Sequence, residues 1–81
     1  MDNKWYQMWV SHSSHDIVSI MTHCDPILQK LGALPCAPNG IPIVDEDGTI
    51  EIRAFNKMPF EMAKKYLEDQ GFSIVREQEN D

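Results

Sequence analysis

The sequence has few basic residues, cysteines and glycines, and it lacks long hydrophobic runs. No apolar run approaches the ~20 residues that a membrane-spanning helix needs. No lysine-flanked hydrophobic segment, of the kind that marks a signal peptide, opens the chain. We therefore expect a protein with no membrane partner and no export signal.

The scarcity of cysteine and glycine excludes two kinds of site. Cys24 and Cys36 are the only cysteines, so at most one intramolecular disulfide can form. Because the composition supports a hydrophobic core, we expect reduced thiols and a cytoplasmic location. The four glycines are isolated from one another, so no glycine-rich loop is present to cradle a phosphate.

Basic residues are outnumbered, because 7 Lys and Arg face 13 Asp and Glu, which gives a net charge of −6. Neutralising a nucleic-acid backbone requires clustered cations, and the basic residues here are scattered. The balance therefore argues against a nucleic-acid partner. It leaves open a basic protein partner that would bind the acidic surface.

The length of 81 residues allows one domain with one two-layer core. Hydrophobic residues make up 42% of the chain, which is enough for such a core. We predict a single domain over residues 1–81, with a frayed acidic tail at 77–81.

Hydrophobic spacing and turn residues divide the chain into six elements. In chain order these are a strand at 5–10, a helix from near Ser14 to Gly32, strands at 41–44 and 49–55, a helix from Pro59 to Gly71, and a strand at 72–76. This order predicts an α+β, ferredoxin-like split βαβ (βαββαβ) fold. Such a fold has a four-stranded antiparallel sheet with both helices on one face.

Pro26 interrupts the apolar stripe of the first helix. Proline removes a helical hydrogen bond and disfavours helical geometry at the preceding residue. The helix is therefore predicted to kink at Pro26 or to split there, and we favour a split with Asp25 as the new cap. Residues 33–40, which are rich in proline and turn residues, are predicted to form a loop.

The first predicted strand has hydrophobic residues on both sides. If Tyr6, Met8 and Val10 face the helices, strand alternation places Trp5 and Trp9 on the other side of the sheet, which we call the second sheet face. The same rule, applied to the third strand, adds the following residues to that face: Thr49, Glu51, Arg53 and Phe55. A slip of one residue would exchange the two faces, and a loop that covers the tryptophans is an equally simple arrangement.

His12, His15, His23 and Cys24 form a second group of chemically active residue types. These types suit zinc or copper, but the spacing matches no established metal motif. His23 and Cys24 are helical neighbours that point about 100° apart, so they do not make a catalytic dyad. We expect no cofactor, no metal and no enzymatic activity.

The leading interpretation is a small acidic, non-enzymatic protein-interaction module, such as a regulator or inhibitor. It would bind a protein partner, or itself as a homodimer, through the second sheet face, with Trp5, Trp9, Glu51, Arg53 and Phe55 as contact residues. The alternative is a small-ligand or metal-binding domain that uses the three histidines and Cys24.

Overall fold

The computed structural model describes residues 4–81, which form a four-stranded antiparallel sheet and two helices. The elements are β1 (Trp5–Ser11), α1 (Ile17–Leu31), β2 (Ala33–Pro35), a short 3-10 turn (Pro38–Gly40), β3 (Ile50–Ala54), α2 (Lys57–Asp69) and β4 (Ser73–Asn80). The strand order is β2-β3-β1-β4, and every neighbouring pair is antiparallel. The predicted α+β class, the four strands and the two helices are confirmed.

One hydrophobic core lies between the helices and one side of the sheet. The two central strands supply alternate residues to it, with Met8 opposite Ile52 and Val10 opposite Ile50. Residues three or four apart on the two helices complete the core: Met21, Cys24 and Leu28 of α1, and Phe60, Ala63 and Leu67 of α2. The predicted inward positions of β1 and β3 are therefore confirmed, and neither helix covers the opposite side of the sheet.

The second strand lies earlier in the chain than the sequence predicts. Ala33–Pro35 forms β2, whereas 41–44, the predicted strand, has no regular structure. Gly32 ends α1 at φ +95°, so the chain turns directly into β2, where Ala33 is fully buried. The run 41–44 is apolar but mostly exposed, because only Pro42 in it is buried. The apolar composition of 41–44 therefore predicted the wrong position for the second strand.

Helix α1 runs through Pro26 without a break, so the favoured split is wrong. Met21, Cys24 and Leu28 lie on both sides of the proline and are all buried, so core packing outweighs the lost hydrogen bond. The helix also starts later than predicted. Asp16 is its N-cap without a side-chain cap bond, and its N–H donates to the hydroxyl of Ser14 at 3.1 Å.

Strand β4 is longer than the sequence predicts and extends to Asn80. The acidic residues that were predicted to form a frayed tail pair with β1 instead, as in the pairing of Glu77 with Met8. Lys64 of α2 strengthens this placement, because its ammonium group lies 2.9 Å from the Glu77 carboxylate and 3.2 Å from that of Glu61.

A β-bulge at Val75 changes the alternation along β4. Val10 pairs with Ile74 and Trp9 pairs with Arg76, so Val75 is the additional residue between them. If β4 were regular through Val75, Ile74 and Arg76 would point to the same side of the sheet, because residues two apart share a face. The bulge lets Ile74 pack against the core while Arg76 reaches the second sheet face.

Candidate functional site: the second sheet face

The second sheet face carries side chains from all four strands. By strand pairing it comprises Trp5, Gln7 and Trp9 of β1, Leu34 of β2, Glu51 and Arg53 of β3, and Arg76, Gln78 and Asn80 of β4. These residues lie in cross-strand rows, in which Gln7 stands between Arg53 and Gln78. Since neighbouring strands are about 5 Å apart, the side chains of one row touch.

Both tryptophans and both arginines of the chain lie on this face, and they form two stacked pairs. The Arg76 guanidinium carbon is 4.1 Å from the centre of the Trp9 ring. The corresponding distance from Arg53 to Trp5 is 5.4 Å. A guanidinium over an indole ring is stabilised by the ring quadrupole and by dispersion, so each contact favours the observed position of the arginine over its tryptophan.

Hydrogen bonds connect the side chains between the two stacks. Gln7 donates through Nε2 to Glu51 Oε2 at 2.7 Å and accepts at Oε1 from Asn80 Nδ2 at 3.0 Å. Arg53 Nε donates to the same Glu51 oxygen at 2.5 Å. Gln78 Nε2 donates to Asn80 Oδ1 at 2.7 Å. The network spans three strands and restrains its side chains.

The ion pair within this network changes the acidity of both members. Partial burial raises the pKa of Glu51, but the hydrogen bonds from Arg53 and Gln7, together with the Arg53 charge, lower it below the ordinary range for a carboxyl group. The hydrogen bond to Glu51 raises the pKa of Arg53. Glu51 is therefore ionised and already paired at neutral pH.

Exposure differs among the residues of this face. Trp9 and Gln7 are each only 9% exposed, whereas Leu34 is 49% exposed and Arg53 is also exposed. Trp5 is half-buried. The structure thus presents Trp5, Leu34 and the two guanidinium groups to solvent, above a more deeply buried layer formed by Trp9 and Gln7.

Phe55 and Thr49 lie at opposite ends of β3 and outside the network. Phe55 is 59% exposed in a bend after the strand, and it lines a small cavity with Tyr6, whose side chain points to the helices. Thr49 is buried, and its hydroxyl and N–H both donate to Asp47 Oδ1, at 2.6 and 3.2 Å. Of the five predicted contact residues, the structure brings together Trp5, Trp9, Glu51 and Arg53.

The histidines and Cys24 do not come together. His12 Nδ1 accepts from the Ser14 N–H at 3.0 Å, and its Nε2 lies 3.2 Å from the Gln70 carbonyl oxygen. His15 and His23 are exposed, while Cys24 lies in the core, where burial raises the pKa of its thiol. Within residues 4–81, no group of three or more His, Cys, Asp or Glu side chains is arranged to hold a metal ion.

Four members of this face were not predicted from the sequence: Leu34 of β2, and Arg76, Gln78 and Asn80 of β4. The sequence predicts Arg76 at the end of the last strand but does not indicate which side of the sheet it faces, because nothing in the sequence marks the bulge at Val75. Asn80 was assigned to the frayed tail. Residues 76–80 are all polar, so the sequence carries no apolar alternation that would mark them as a strand.

Comparisons with other proteins add no relative. No protein-family model matches the chain, and no curated protein or solved structure gives a match. In the part of the chain that the structure describes, no helix is long and apolar enough to cross a membrane. The second sheet face is therefore the feature of this protein that bears on its function.

Proposed function

We propose that the protein is a small, non-enzymatic protein-interaction module of the regulator or inhibitor type. Its binding surface is the second sheet face, and it binds a protein partner or a second copy of the chain. The observation that carries this proposal is the location of both Trp–Arg stacks on the side of the sheet that no helix covers. Tryptophan and arginine are the residues most enriched at the energetic centres of protein interfaces.

The preorganised network supports the same function. Side chains that are already fixed by hydrogen bonds and ring stacking lose little conformational freedom when a partner binds. Gln7, Glu51 and Asn80 are held in this way. Trp5 and Leu34 supply the exposed apolar area, and the polar network around them supplies directional contacts.

The proposal includes the ferredoxin-like arrangement and a cytoplasmic location. The first is supported by the position of β3 between β1 and β2, and of β1 between β3 and β4, with all neighbours antiparallel. The second is supported by the two free cysteines, Cys24 in the core and Cys36 after β2.

Iodide quenching of tryptophan fluorescence over a dilution series tests whether the face is open. Trp5→Phe and Trp9→Phe variants separate the two signals, since these are the only tryptophans. We expect Trp5 to be quenched in the monomer and protected in any dimer, and Trp9 to be quenched little. Protection of Trp5 in a protein that stays monomeric at every concentration would contradict the proposal.

A matched pair of variants tests whether the face binds. Trp5→Ala removes a half-buried aromatic from the second sheet face, and Met62→Ala removes an exposed side chain from α2, on the other side of the sheet. We expect Trp5→Ala to abolish self-association, or the capture of a protein partner from a cell extract, while Met62→Ala leaves both unchanged. Equal behaviour of the two variants would refute the proposed surface.

A further inference from the structure

We infer that the partner of the second sheet face is a short protein segment that carries one or two carboxylates among apolar residues. This inference rests on the proposed function and adds the chemistry of the partner. The net charge of the whole chain would by itself favour a basic partner, whereas this inference names an acidic one. The reason is that the charge of the second sheet face is opposite to that of the molecule as a whole.

The first argument is that the two guanidinium groups have unused hydrogen-bond donors. Within residues 4–81, Arg76 forms no salt bridge and donates no hydrogen bond; it stacks on Trp9, and its charge acts on Asp47. Arg53 donates only through Nε, and its side chain is 48% exposed, so its two terminal nitrogens have no hydrogen-bond partner within residues 4–81. A guanidinium has five N–H donors in a planar fork that matches a carboxylate, so both arginines can bind one.

Second, the acidic residues at and beside this face already have hydrogen-bond partners. Glu51 accepts hydrogen bonds from Gln7 and Arg53 through one oxygen, and its side chain is only 16% exposed. Asp47 near the edge is engaged by Thr49, whose hydrogen bonds lower the pKa of Asp47, and the Arg76 charge lowers that pKa further. Both carboxylates stay ionised, but only Glu51 forms a salt bridge with an arginine, so the Arg76 guanidinium is available to a carboxylate of a partner.

The third argument concerns how many charges the partner carries. Arg53, Arg76 and Glu51 give the face a net charge of +1, so the rest of a chain with net charge −6 carries −7. This surrounding negative charge repels a polyanion such as nucleic acid, but it has little effect on one or two carboxylates placed directly on the arginines. A face-to-face second copy would bring like-charged arginines together.

The fourth argument concerns the apolar part of the partner. Leu34 is paired with Arg53 across β2 and β3, and Trp5 stacks beneath the Arg53 guanidinium. Both side chains offer apolar area next to the charged group. A segment with a carboxylate flanked by apolar side chains satisfies the guanidinium and covers these residues at the same time.

Three synthetic peptides test the inference. They share the same apolar residues and differ at two positions, which are both Glu in the first peptide, both Gln in the second and both Lys in the third. Tryptophan fluorescence reports binding directly, because both tryptophans lie on this face. We expect the Glu peptide to bind about tenfold more tightly than the Gln peptide, the Lys peptide to bind weakest, and the preference to decrease with added salt.

Two variants with the same change in charge provide the control. Arg76→Gln is expected to weaken binding of the Glu peptide about tenfold, and Lys65→Gln, on the exposed side of α2, by less than about twofold. Arg53→Gln is a second variant of the face, and thermal unfolding verifies that each variant is folded. Equal weakening by Arg76→Gln and Lys65→Gln would show an effect of net charge only and would overturn the inference.

The remaining outcomes separate the inference from the proposed function. If the Gln or Lys peptide binds as tightly as the Glu peptide and Trp5→Ala abolishes that binding, the face is an interface but the acidic partner is wrong. The same conclusion follows if an oligothymidine binds in place of the Glu peptide, or if the protein self-associates through Arg76 and binds no peptide. If nothing binds and the protein does not self-associate, both proposals fail.

Discussion

His12 and Gly71 constrain each other at the scale of single residues. The His12 ring is held by Ser14 and Gln70, and it packs edge-on against Phe72 with ring centres 4.9 Å apart. Gly71 adopts φ +92°, and a Cβ atom added there would lie 2.9 Å from His12 Nε2. His12 thus joins the end of β1 to the start of β4, which explains its position without a metal.

Substitution of Gly71 tests this contact. Gly71→Ala is expected to lower the free energy of unfolding by about 2–4 kcal/mol, from left-handed backbone strain and the clash with His12. Gly48→Ala is the control, because Gly48 has a similar φ of +81° with open space around it, and we expect a loss of about 1–2 kcal/mol. Urea unfolding measures both values, and equal losses would show that the histidine contact is unimportant.

The Glu51 carboxylate makes folding depend on acid pH. Its pKa is lower in the folded protein than in the unfolded chain, so it stabilises the fold above the ordinary carboxyl pKa, and this contribution is lost as the pH falls through the folded value. We expect Glu51→Gln to be less stable at neutral pH and to lose less stability on acidification. Urea unfolding over a pH series, with exposed Glu46→Gln as the control, measures the difference. An unchanged acid dependence in Glu51→Gln would contradict this assignment.

At the scale of elements, Pro26 is a local defect that the core tolerates. Pro26→Ala restores a backbone donor at an exposed position inside α1. We expect it to raise the free energy of unfolding by about 1–2 kcal/mol, after subtraction of the smaller entropic benefit of proline. Pro59→Ala, in the first turn of α2 where no helical donor is needed, should give no increase. Thermal unfolding compares the two, and equal increases would contradict this account.

The second half of β4 provides another prediction at this scale. A chain that ends at Arg76 loses the pairing of 77–80 with β1 and the Lys64–Glu77 ion pair. We expect truncation to lower the free energy of unfolding by about 2–4 kcal/mol, from several lost hydrogen bonds and their packing. Removal of Asp81 alone serves as the control. A truncated protein as stable as the full chain would show that 77–81 frays, as the sequence analysis predicted.

Elements with strong periodicity were predictable from the sequence, and elements defined by tertiary contacts were not. The alternation in β1 and β3 identified both faces of the sheet, and the apolar stripe located α2. Strand β2 has only three residues, and its position depends on its pairing with β3. The run 41–44 has the apolar composition of a strand but does not pair in the sheet. The site residues on β1 and β3 were therefore predictable. Those on β2 and β4 were not, because they depend on strand pairing and on the bulge at Val75.

At the scale of the whole molecule, charge is unevenly distributed. The second sheet face has a net charge of +1 and the remaining surface −7, so repulsion among carboxylates opposes the compact state. We expect added sodium chloride to raise the melting temperature at low ionic strength, because screening reduces this repulsion. Glu46→Gln, with a net charge of −5, should show a smaller increase. A melting temperature that falls with salt would show that attractive ion pairs such as Lys64–Glu77 dominate instead.

The bulge at Val75 also restricts how the length of this chain can change during evolution. Loss of Val75 itself would make Ile74 and Arg76 neighbours in a regular strand, so both would keep their present sides of the sheet. Loss of a residue from the regular part of β4 would instead exchange the sides of the residues beyond it. Substitutions at Val75 avoid this penalty too, because its side chain is 57% exposed and unpaired. In descendants of this sequence, we therefore expect position 75 to vary in identity and to be the one position of β4 where a deletion is tolerated.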